Sequence, residues 1–87
     1  MPILLPNEEV SREQLQGYSI FIWAQDHPNP PHVHVRKGDR YSTWHLRSLE
    51  CTRAGKFSSS ELRQQRKLLQ KFHEIVARTW DDHWQGQ

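Results

Sequence analysis

The sequence predicts an α+β fold in which a small antiparallel three-stranded sheet, with an optional fourth edge strand at the N-terminus, packs against one long C-terminal helix. Three observations carry this. His32-Val33-His34-Val35-Arg36 alternates with the period of a strand and follows a Pro30-Pro31 pair that favours extended backbone. Gly38-Asp39, set between two extended runs, is a two-residue hairpin signal. Beyond Ser58, the residues Leu62, Leu69, Phe72, Val76 and Trp80, widened by Leu68 and Ile75, trace one apolar helical stripe for about six turns. With 87 residues and 34% hydrophobic content there is material for one thin core. Residues 1–87 are therefore read as a single domain, with 1–16 as N-terminal edge strand and short helix, 17–47 as the three-stranded sheet and 58–84 as the helix.

Taken in order, Ile3-Leu4-Leu5 between Pro2 and Pro6 suits a short edge strand. Ser11 and Gln14 have the spacing of a capping box, so a turn or two of helix is expected up to Gln16, where Gly17 ends it. Tyr18 to Gln25 is aromatic and β-branched on both faces and reads as the central strand, followed by a proline-rich loop at 28–31. Strands are then expected near 32–37 and 40–47, joined at Gly38-Asp39. Ser48 is placed as the cap of a short helix anchored by Leu49 and closed by Gly55. Phe57 and Leu62 stand at the positions of a hydrophobic staple, Ser58 at the N-cap and Glu61 at the third helical residue, which starts a helix from about 59 to 83.

A two-residue hairpin fixes the register by arithmetic. His32 then opposes His45, Val33 Trp44, His34 Thr43, Val35 Ser42 and Arg36 Tyr41. Val33, Val35 and Trp44 form a core patch, while His32, His34, His45, Thr43, Tyr41 and Arg36 gather on the reverse, wetter face. Serine or threonine would serve a surface strand as well, so exchanging both His32 and His34 for threonine is expected to leave stability unchanged.

The net charge of +2 is unevenly spread: residues 1–31 carry −3, 32–57 carry +4, 58–71 carry +3 and 72–87 carry −2. The basic middle suits RNA or an acidic protein partner if folding gathers it on one surface, and otherwise serves as a solvated face. Arg63, Lys67, Lys71 and Arg78 recur near helical spacing opposite the apolar stripe, which makes the first three candidate binding residues. Cys51 is the sole cysteine, so no intrachain disulfide forms, and with no base beside it in sequence it reads as a spectator thiol. No run is apolar enough for a signal peptide or membrane span, and a cytoplasmic protein is expected.

The run Pro30-Pro31-His32-Val33-His34-Val35-Arg36-Lys37-Gly38, with Gly55-Lys56-Phe57-Ser58, Glu61-Leu62 and Trp80, resembles the small prokaryotic family called domain of unknown function 4160. The likeness extends over roughly residues 17 to 84. It implies no established activity. It does imply an association with toxin–antitoxin-type gene pairs, and with it a protein partner encoded nearby. The family pattern tends to carry an aromatic residue where this chain has His45 in Trp44-His45-Leu46, which ranks His45 below His32 and His34 as a functional residue.

Three chemistries fit the histidine face. His-X-His on a strand sets two imidazoles roughly 6.5–7 Å apart at Cα, near enough to chelate one ion together. A divalent transition metal, zinc or manganese, would then be held by His32 and His34, with His45, Asp26 or His27 as third ligand. Without a metal, His32 and His34 would serve as base and acid, and Arg36 as phosphate clamp, in ribonuclease-like cleavage, with Tyr41 or Thr43 orienting the phosphate. The third reading is a binding surface for a protein partner or a second copy of the chain, with Asp26, His27, Tyr41 and Thr43 among its residues. A partner-binding component is the reading preferred, with metal-dependent or histidine-based phosphodiesterase activity as the alternative.

Overall fold

The computed structural model describes residues 3–22 and 31–85. Among the described residues five strands, β1 (Ile3–Leu5), β2 (Ser19–Phe21), β3 (His32–Lys37), β4 (Arg40–His45) and β5 (Cys51–Arg53), form one antiparallel sheet in chain order, followed by α1 (Ser59–Lys71) and α2 (His73–Gln85). The α+β class and the antiparallel sheet are as expected. Three strands and a single long helix are not.

The hairpin has the expected two-residue turn, and all the pairs from His32↔His45 to Lys37↔Arg40 stand in the register derived above. Gly38 takes φ 66° at the first central position, which a side chain would resist. On the other flank β2 pairs Ile20 with Val35 and Phe21 with His34, and β1 is the expected edge strand, pairing Ile3 with Phe21 and Leu5 with Ile20 across a bulge. The strand expected over 18–25 is three residues long, and 23–25 lie outside the described residues. The helix expected after Ser11 is a single capped turn. Ser11 N–H donates to Gln14 Oε1 at 2.8 Å and Gln14 N–H to Ser11 Oγ at 3.2 Å, while Gln16 turns left-handed (φ 55°) and Gly17 N–H bonds back to Arg12 O at 3.1 Å. That closing bond stops propagation.

The segment after β4 departs most from expectation. Leu49, cast as a helix anchor, has φ 59°, and Ser48 Oγ accepts from Glu50 N–H, two residues on, so the chain reverses instead of coiling. Cys51 then pairs with Trp44 and Arg53 with Thr43, and Thr52 Oγ1 donates to Thr43 O at 3.3 Å. The turn beyond β5 is closed by Phe57 N–H to Ala54 O at 3.2 Å, with Gly55 and Lys56 both at positive φ (63° and 68°), as a type I′ turn requires. A Cβ on Gly55 would lie 1.7 Å from Tyr41 O, so only glycine lets the turn pack against β4. The capping box is complete in both directions: Ser58 N–H donates to Glu61 Oε1 at 2.8 Å and Glu61 N–H to Ser58 Oγ at 3.2 Å. Arg40 bonds the same Glu61 carboxylate at 3.4–3.5 Å, fastening α1 to the hairpin.

The helix breaks at Phe72 (φ −106°, ψ 18°), yet Phe72 N–H still reaches Leu68 O and Val76 N–H reaches Phe72 O, each at 3.0 Å. Length supplies the reason. A straight helix over both segments would run about 40 Å, whereas a six-residue strand spans about 20 Å. The bend keeps the stripe on the core: Leu68, Leu69, Phe72, Val76 and Trp80 are buried, Leu62 and Ile75 pack at the margin, and α2 reaches β1. His73 Nε2 and Leu46 O, 2.7 Å apart, tie the break to the end of β4. The stripe also holds Gln65, fully buried, where its Oε1 accepts from Ser42 Oγ, and Trp44 Nε1 donates to Ser42 Oγ at 2.8 Å. Ser42 occupies a core-facing position opposite Val35, so a polar helix residue meets a polar strand residue inside an apolar layer.

Candidate functional site

The register places His32, His34, Arg36, Tyr41, Thr43 and His45 on one face of β3 and β4, opposite to Val33, Val35 and Trp44, as derived from the sequence. Their environment differs from the expected wet surface. His34 is 6% exposed and Phe21, its neighbour on β2, is 1% exposed. The imidazole stacks on Phe21 (centroids 5.2 Å, planes 24° apart), meets the edges of Tyr41 (5.8 Å) and His32 (5.9 Å), and its Nδ1 lies 3.1 Å from Thr43 Oγ1. His34 therefore packs as an aromatic ring tethered to Thr43, which gives it a folding role the alternation of the strand did not reveal.

His32 and His45 are half-buried, and Trp80 of α2 comes to 5.9 Å from the His32 ring, so the helix borders this end of the face. Arg36 is exposed. Among the described residues no three His, Cys, Asp or Glu side chains are grouped to hold a metal ion, so His45 does not complete a set with His32 and His34. Asp26 and His27 lie outside the described residues. Arg63, Lys67 and Lys71 are exposed on α1, whose buried side faces the opposite surface of the sheet, so the structure does not join them to the histidine face. Cys51 is half-buried, its Sγ 3.3 Å from Arg53 O.

At the hairpin end the sheet carries residues that sequence reasoning missed. Arg53 lays its guanidinium over Tyr41, Cζ 5.0 Å from the ring centroid, and Arg40, Tyr41, Arg53 and Lys56 line a cleft of about 200 Å³ with Asp39 and Gly55. Arg53 falls within the short helix expected from Ser48 to Gly55, and the pairing of β5 with β4 is what brings it here. The Glu61 carboxyl is held below its usual range, chiefly by the Ser58 backbone N–H, with the Ser58 hydroxyl and Arg40 adding to it against some desolvation.

The sequence model of the family described as Domain of unknown function (DUF4160) matches residues 17–81. The chain belongs to that family. The DUF4160 match takes in β2 to β5, α1 and most of α2, and leaves β1 and the capped turn outside. No curated protein and no solved structure matches the chain. Two DUF4160-like stretches can now be separated by what they do. Gly55, Phe57, Ser58 and Glu61 build the turn, the staple and the cap that start α1. In the histidine strand, Val33, His34 and Val35 are buried, whereas His32 and Arg36 at its two ends are not. Among the described residues no helix is long and apolar enough to cross a membrane.

Proposed function

We propose that this DUF4160 chain is a binding component and not an enzyme, acting in the cytoplasm as one member of a toxin–antitoxin-type gene pair whose partner protein is encoded nearby. The observation that carries this reading is the packing of His34. An acid–base pair needs two imidazoles that can reach a substrate, and His34 is 6% exposed between Phe21, Tyr41 and His32 with Nδ1 turned to Thr43. What remains accessible at that end is a half-buried rim, His32, Thr43 and His45, of the mixed aromatic and polar character that suits a protein interface.

Co-expression with the neighbouring gene, followed by co-purification and growth measurements, tests the reading. A complex is expected, and a His32→Thr, His45→Thr double variant should melt like the wild type while losing at least tenfold in partner affinity. Failure to form a complex, together with cleavage of a fluorogenic RNA that His32→Ala abolishes, would replace this reading with the ribonuclease one. Cleavage that appears only with added zinc or manganese would favour the metal-dependent one.

A further inference from the structure

We propose that the hairpin end of this sheet face binds single-stranded nucleic acid, with Arg36, Arg53 and Lys56 taking phosphates and the guanidinium of Arg53, spread over Tyr41, offering a stacking surface for a base. The site follows from register. β2, β3 and β4 set Ser19, Arg36 and Tyr41 side by side in one row across the strands, and Arg53 of β5, paired with Thr43, leans back over Tyr41. Adjacent strands lie about 4.8 Å apart and Arg53 stands two residues along from the row, so the Arg36 and Arg53 backbones are about 12 Å apart on either side of β4. Both arginines are exposed, as is Lys56, which the left-handed turn holds at the edge of the same cleft. Arg40, by contrast, is engaged with Glu61 and serves the fold.

Charge alone would suit an acidic peptide equally well. The distinguishing feature is the planar guanidinium against an aromatic face, because nucleobases stack on such planes and carboxylates do not. A duplex would need an element that enters a groove, whereas exposed arginines set across the strands of a sheet suit a single strand with splayed bases. The row lies four residues along β3 from His32, roughly 13 Å, so the inference stands apart from partner docking at the histidine end.

The test is fluorescence anisotropy of a short labelled oligouridylate, with polyglutamate as competitor and thermal melts as the fold control. Binding is expected with Kd on the order of 10–100 μM at physiological salt, weakening about 20-fold between about 50 and 200 mM as three phosphate contacts imply. An Arg36→Gln, Arg53→Gln double variant should melt near the wild type and bind at least tenfold more weakly. Should that variant unfold, Lys56→Gln and Arg36→Gln, singly, must each flatten the salt dependence. Equal binding by wild type and strip variants overturns the inference, as does loss confined to Arg63→Gln, Lys67→Gln on α1. Displacement of the oligonucleotide by polyglutamate at equal charge concentration overturns it in favour of an acidic protein segment.

Discussion

The two stretches that first set this chain apart, the histidine strand and the Gly55–Leu62 turn, look alike in sequence as compact signatures but do different work. In the turn, Gly55, Phe57, Ser58 and Glu61 each have a folding reason. Gly55 fits where a Cβ would strike Tyr41 O, Phe57 is buried against Tyr18 at 5.9 Å, Ser58 and Glu61 cap α1, and Glu61 also clasps Arg40. In the strand the centre is structural and the ends are not: Val33, His34 and Val35 are buried, His32 is half-buried and Arg36 exposed. A recurring motif is thus no pointer to chemistry by itself. The residues left after folding roles are subtracted are the ones to test.

The largest effect expected is at the turn. Gly55→Ala combines a left-handed alanine with a backbone clash 1.7 Å from Tyr41 O, and should cost about 3 kcal/mol or more in urea denaturation, a large share of the stability of a domain of this size. A wild-type-like midpoint would mean that the turn can move off β4. Next, His34→Thr should destabilise by about 2 kcal/mol, because it removes a buried ring stacked on Phe21. This reverses the expectation that both histidines tolerate threonine, and a neutral result would restore it.

Smaller effects come from the cap. Ser58→Ala should cost about 1 kcal/mol by thermal melting, as the loss of an N-cap hydroxyl usually does. The lowered carboxyl of Glu61 adds a pH signature. Its stabilising contribution is present above the unfolded-state value and is lost as pH falls through the lower folded-state value, so stability declines below pH 4.5. Glu61→Gln should make that decline shallower, and an identical acid limb in wild type and variant would remove Glu61 from the account. The smallest shifts are expected at the strand ends, where His32→Thr and Arg36→Gln should each stay within about 0.5 kcal/mol of the wild type in melting experiments. Destabilisation there on the scale of His34 would erase the distinction between the centre of the strand and its ends.

Local chemistry was legible in the sequence wherever a few neighbouring residues settle the conformation. The hairpin register, the capping boxes at Ser11 and Ser58, the N-terminal edge strand and the faces of β3 and β4 all follow from turn residues and period-two alternation, which act over a handful of positions. The tertiary structure decided what those cues cannot reach. Whether Ser48 to Gly55 coils or pairs depended on an open β4 edge that Cys51 and Arg53 could join. Whether the C-terminal helix ran straight depended on the length of the sheet beneath it. His34 packs among rings from other strands, stacked on Phe21 of β2 and edge-on to Tyr41 of β4. Arg53 reaches Tyr41 for the same kind of reason: burial and cross-strand contact are properties of neighbours distant along the chain, and a local pattern names the face without naming what lies against it.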